Sequence, residues 1–201
     1  MTLLERTSSP DRLCESCTPV LETERLVLRA PRYEDVKAIA AIVNDRRIAE
    51  NTLRIPHPYS VKDAEEFLSI VNSRESEATF AVTLPDGTLL GMCGFDFRGE
   101  PAPELGLWLG VEHWNCGYGT EAVRAVIDYA FNDLGYDTLT AGARVNNPAS
   151  RRVLEKCGFQ WTGVGLYRIR AIASSAPVDR FRLDRGLWAS LKAWGAVKRV
   201  A

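Results

Sequence analysis

The stretch Glu104–Phe131, ELGLWLGVEHWNCGYGTEAVRAVIDYAF, changes its hydrophobic period midway, from that of a strand to that of a helix. Leu105, Leu107 and Leu109 alternate with Gly106, Trp108 and Gly110, the period of two of a strand. Further on, Ala122, Val123, Val126, Ile127, Ala130, Phe131 and Leu134 form one apolar helical stripe. Gly117-Tyr118-Gly119-Thr120 lies between them. Glycines at a strand-to-helix junction permit positive φ and admit a ligand where a Cβ would stand. The free N–H groups and positive dipole end of the helix then face that ligand, which favours an anion such as a pyrophosphate. Gly-x-Gly also serves as a plain tight turn, so the surrounding sequence has to decide.

A chain of 201 residues, 46% hydrophobic and 25% charged, has the size and composition of one globular domain, with or without tails, that buries its own core. A net charge of −1 and a pI near 6.2 argue against broad binding of nucleic acid or anionic membrane. No apolar run reaches the roughly 18 residues of a membrane span, and Met1–Val20 has no continuous signal core. The expected compartment is the cytoplasm. The five cysteines are scattered, and Cys14-x-x-Cys17 has no second Cys/His pair at metal spacing. No metal and no disulfide framework are expected.

Residues 1–20 read as a loose polar extension, 21–195 as a single domain and 196–201 as a tail. Arg25–Arg29 alternates as a first strand, and Val36, Ile39, Ala40 and Val43 mark the buried face of a helix. Ser60-x-x-Asp63 caps a second helix. Thr79–Leu84 and Leu89–Phe97 form a hairpin around Pro85-Asp86-Gly87. After Gly135, Thr138–Val145 is a strand, Asn147-Pro148 opens a helix and Gly158 closes it. Gln160–Ile172 and Val178–Leu183 form two last strands around a Ser174–Pro177 turn. The order β-α-α-β-β-β-α-β-α-β-β is that of a mixed α/β fold (α+β, mixed sheet) without a second domain.

Gly117–Ala122 fits G-x-G-x-x-A, but it lies mid-chain behind a hairpin, and Thr140-Ala141-Gly142-Ala143 supplies no acidic ribose ligand. A P-loop is excluded because no Gly-Lys-Ser/Thr follows the glycines. Trp114–Ala122, WNCGYGTEA, resembles the acetyl-CoA pyrophosphate loop of the GNAT superfamily of N-acetyltransferases. Asn147–Phe159, NPASRRVLEKCGF, is similar to the second motif of its branch of ribosomal-protein amino-terminal acetyltransferases. Glu22–Arg29 and Asp184–Trp188 resemble the opening and the ending of that branch. The Gln or Arg, then Gly and Lys, that often stand ahead of Gly-x-Gly in the family are replaced here by Trp114, Asn115 and Cys116, with loss of a basic side chain. Backbone donors supply most of the phosphate contacts, so binding should survive the replacement.

The resemblance implies a GNAT-like acyl-CoA N-acyltransferase fold and acetyl-CoA as co-substrate. It implies that Leu109 and Val111 flank the pantetheine arm, that Asn115, Cys116, Gly117, Tyr118, Gly119 and Thr120 hold the pyrophosphate, and that Asn147 bonds the pantetheine. Ser150 would lie close to the sulfur and protonate or hydrogen-bond the thiolate, or it would cap its helix. For the base that deprotonates the amine, often through water, Glu104 at the start of the splaying strand is the candidate. The other superfamily position for a base is Gly142 here. Asn51–Tyr59, Phe95, Trp108 and Tyr167 are candidate walls for the acceptor, and Tyr129 is read as core. The acceptor is a protein N-terminus or a small-molecule amine, and the assembly a monomer or homodimer. The alternative is a non-catalytic, regulatory CoA-binding module of the same fold.

Overall fold

The computed structural model describes residues 18–73, 78–97 and 102–196. The N-terminal extension up to residue 17, with Cys14 and Cys17, and the tail beyond 196 lie outside the described residues. One sheet of eight strands runs in the order β1-β2-β3-β4-β5-β6-β8-β7. Its strands are β1 (Leu21–Glu22), β2 (Val27–Arg29), β3 (Ala78–Thr83), β4 (Leu89–Asp96), β5 (Glu104–Leu109), β6 (Thr138–Arg144), β7 (Gln160–Ile169) and β8 (Ser174–Asp184). Neighbouring strands are antiparallel except β5 and β6.

Each face buries its own core because side chains alternate across a strand. On one face lie α4 (Tyr118–Asp128), α5 (Pro148–Lys156) and α6 (Arg185–Ala196). There the α4 stripe Ala122, Val123, Val126 and Ile127 is fully buried against Leu28, Phe80, Val82, Leu105 and Leu139. Leu134 lies past a wider π turn over Tyr129–Asp133 and is exposed, so the stripe ends at Phe131. Tyr129 packs edge-on to Phe80 at 5.6 Å, in the core as expected. The other face carries α1 (Val36–Val43) and α3 (Val61–Asn72), packed on Ala81, Leu89, Met92 and Trp108, and the short α2 (Arg46–Ala49) follows α1. Ser60 and Asp63 form the capping box at the start of α3.

Two parts of the sequence reading need correction. Ser174–Pro177 is not a turn but the first part of β8, with Pro177 opposite Leu166. The reversal is made upstream by Arg170–Ile172 and by Ala173 at φ 50°, a left-handed conformation adopted here without glycine. The chain also continues beyond β8 into α6. Trp188 of α6 is buried against the main core, and its indole donates to Asp128 Oδ1 at 2.9 Å.

The α1 corner contains a buried ion pair with a pH consequence. Burial works against ionisation of Asp35, but the bidentate Arg29 guanidinium at 2.7 and 2.8 Å and the Arg32 N–H outweigh it and hold its carboxyl below the usual carboxylate range. A depressed native pKa stabilises the fold fully above the unfolded value of about 4, and this is lost as pH falls through the native value. Asp35→Asn should therefore lower stability at pH 7 and flatten its pH dependence below about pH 4, read by urea unfolding across that range.

Candidate active site

β5 and β6 pair only at Glu104↔Thr140 and Leu105↔Ala141, and then part. The Pro103 carbonyl accepts from Thr140 N at 2.9 Å, so odd-numbered residues of β5 turn their backbone groups toward β6. Past Leu105 the N–H groups of Leu107 and Leu109 thus face the gap rather than a strand. The Leu109 carbonyl is taken up by the Trp114 indole Nε1 at 2.8 Å, which ties the following loop to the strand end. The motif at Trp114–Ala122 does not foretell this role of the indole, because a hydrogen bond to a backbone carbonyl leaves no compositional trace.

Both helices that follow the diverging strands start at the mouth of this gap. Gly117, at φ 85°, is the N-cap of α4, and Asn115 also has positive φ, 60°. This turns the 115–119 backbone so that the first N–H groups of α4 point outward, an arrangement suited to phosphate oxygens. A Cβ on Gly119 would stand 3.2 Å from Leu107 Cδ2 and 3.7 Å from Val153 Cγ2, so its absence lets α4 close down on β5 and α5. Cys116 is exposed in the loop, with its thiol 3.4 Å from the Trp114 carbonyl. Val111 lies in the single turn Val111–His113 that follows Leu109. At the end of β6, Asn147 is the N-cap of α5 and its Oδ1 accepts from Ser150 N at 3.1 Å. The cap is therefore Asn147 and not Ser150. Among the described residues the Ser150 hydroxyl makes no hydrogen bond to protein, and it remains available at the mouth of the gap.

Glu104 sits at the closed end of the gap, 7% exposed, on the face opposite α4. Both its oxygens accept from Arg180, Oε1 from Nη1 at 3.1 Å and Oε2 from Nη2 at 3.3 Å. The pair crosses over β6 at Gly142, where a Cβ would come within 3.1 Å of Arg180 Nη1 and 3.4 Å of Glu104 Oε1. Gly142 is thus the opening that lets a β8 arginine reach a β5 carboxylate. The Arg180 guanidinium also lies 5.2 Å over the Tyr167 ring, which places Tyr167 beside the candidate base.

Between Glu104 and Trp108 on the same face stands Gly106, exposed, with nothing within 4 Å of a Cβ built on it. It forms an open recess about 7 Å along the strand from Glu104, by strand rise. The alternation that marked β5 as a strand already put Glu104, Gly106 and Trp108 on one face, but not that the glycine stands open. Trp108 and Tyr59 both pack against the α1–α3 core. Phe95 belongs to neither wall: it is buried on the opposite face, 5.7 Å from the Tyr136 ring and edge-on to it. Its place in β4 opposite Leu105 sends it there. Among the described residues no group of three His, Cys, Asp or Glu is placed to hold a metal. No helix among them is long and apolar enough to cross a membrane.

The sheet is open, with one parallel pair parting at its carboxyl ends and a helix N-terminus beyond each of those two strands. Residues 25–160 match the family model of the acetyltransferase (GNAT) domain, and the chain belongs to that family. It is an N-acetyltransferase by its relatives. It is 29% identical to the "Uncharacterized N-acetyltransferase p20" of Bacillus licheniformis, over 72% of this chain and 84% of that one. It is equally 29% identical to the "Putative ribosomal N-acetyltransferase YdaF" of Bacillus subtilis, with the same coverages. The fold is similar to that of spermidine N-acetyltransferase from Vibrio cholerae in complex with CoA and spermine, with a TM-score of 0.71 and 22% identity over 83% of this chain and 99% of that chain.

Proposed function

We propose that this N-acetyltransferase is cytoplasmic and moves an acetyl group from acetyl-CoA to a primary amine, on a protein N-terminus or a small molecule, by direct attack. The observation that carries the reading is the convergence of two helix N-termini and a buried carboxylate on the gap between β5 and β6. The cradle fits the donor: glycines stand where Cβ atoms would intrude, and backbone N–H groups point outward. Acetyl-CoA supplies an activated thioester. The backbone of 115–120 holds its pyrophosphate, while Leu109, Val111 and Asn147 line the pantetheine arm.

The amine enters over Gly106. Glu104 takes its proton through a bridging water, as the separation along the strand requires. Arg180 keeps the Glu104 carboxylate in one orientation while it does so. The Leu107 or Leu109 N–H donates to the thioester carbonyl oxygen as it gains charge. The Ser150 hydroxyl donates to the departing sulfur.

A panel of amines and of peptides with free N-termini, assayed for release of free CoA, tests the reading and names the acceptor class. Release with at least one member is expected. Failure to bind acetyl-CoA at millimolar concentration would sink the whole reading, and binding without release from any acceptor would leave a CoA-binding module.

A further inference from the structure

The loop that is to hold a pyrophosphate contains no basic residue of its own. A positive charge nevertheless reaches it from the other end of the chain. Arg25, between β1 and β2, donates from Nη1 to the Cys116 carbonyl at 3.0 Å and from Nε to Glu121 Oε2 at 2.8 Å. Its Nη2 is 2.7 Å from the same carboxylate, and its guanidinium lies 4.8 Å over the Tyr118 ring. Glu121, in the first turn of α4, also accepts from Thr23 Oγ1 at 2.7 Å and from Arg25 N at 2.8 Å. Burial opposes charge on Glu121, but these donors hold its carboxyl below the usual range.

One guanidinium therefore grips the loop on both sides of Gly117, the residue that has to keep φ near 85° for the α4 N–H groups to face outward. Its Nη2 lies 3.2 Å from where a Gly117 Cβ would be, so the side chain also closes the far side of the turn. We infer that Arg25, with Glu121, is the positioning residue of the donor's pyrophosphate cradle: a latch from the first strands that fixes the backbone of 115–119. This rests on the cradle assignment above. A lysine in its place carries the charge but has no planar fork to engage Glu121 and the Cys116 carbonyl together.

The test is calorimetric titration of CoA, and of pantetheine, which lacks the pyrophosphate, into wild type, Arg25→Ala, Arg25→Lys and Glu121→Gln. Amide exchange over 115–120 is followed in the free proteins. Loss of two or three charge-assisted hydrogen bonds should weaken CoA about tenfold in Arg25→Ala, and nearly as much in Arg25→Lys. Exchange over 115–120 should speed up in both, and pantetheine affinity should stay within about twofold, since the arm does not touch the latch. Unchanged CoA affinity in both Arg25 variants, full rescue by lysine, or equal weakening of CoA and pantetheine would each overturn the latch. If Arg25→Ala does not fold, Arg25→Lys and Glu121→Gln carry the same comparison. A wild type that binds CoA no better than pantetheine would instead overturn the cradle assignment, and it would do so without any variant.

Discussion

Glu104→Gln should lower kcat by roughly 10²- to 10⁴-fold while the KM for acetyl-CoA stays within about twofold, because general-base catalysis contributes on that order and the proposed donor cradle lies elsewhere. The side chain keeps its size and its place on β5 but can no longer take a proton. Its amide retains one acceptor for Arg180 and turns an N–H₂ toward the guanidinium, so the variant also loses stability. Full removal of one partner from a buried pair costs about 3–5 kcal/mol, and the retained hydrogen bond keeps this change below that. A melting curve alongside the kinetics separates the two effects: a folded protein with a collapsed kcat supports Glu104 as the base. A folded variant with wild-type kcat would remove it from that role.

Trp188→Ala should cost about 3–5 kcal/mol, the usual range for deleting a large buried aromatic. The indole is 6% exposed and joins α6 to the main core, and its Nε1 donates to Asp128 at the end of α4. For a domain of this size that loss lowers Tm by roughly 10 °C. Trp188→Phe, which keeps most of the packing and drops the hydrogen bond, should lose only about 1 kcal/mol. Asp128 keeps Lys192 at 2.7 Å in either variant, so the difference between them isolates the packing of α6. Urea unfolding of the three proteins reads it directly. Equal stability of Trp188→Ala and wild type would show that α6 adds nothing to the fold.

These two residues mark the limits of what was legible in the sequence. Local signals were readable: the Ser60–Asp63 capping box, the Asn147-Pro148 helix start and the switch of period between β5 and α4 all follow from neighbours a few residues apart. So did the face shared by Glu104 and Trp108, since alternation along a strand needs no partner. The β7–β8 reversal was misplaced because Ser-Ser-Ala-Pro is a turn signal by composition, while the actual turn uses a left-handed alanine that composition does not mark. α6 escaped because Gly186 and Gly195 weaken its local signal and its contact with Asp128 lies 60 residues away.

The site shows the same division. The glycines of the cradle were visible, whereas Arg180 on Glu104 and Arg25 on Glu121 bridge 76 and 96 residues. No spacing rule reaches that far. Gly142 was legible as a missing carboxylate, but its use as a passage for an ion pair depends on the register of β6 against β8.

In the proposed mechanism acetyl-CoA lies across the carboxyl ends of β5 and β6. Amide hydrogen exchange with and without acetyl-CoA tests it most directly. Slower exchange on binding is expected over 107–120 and 147–151, with no change in β1 or β7. Protection confined to other segments, with 107–120 and 147–151 exchanging as in the free protein, would contradict it.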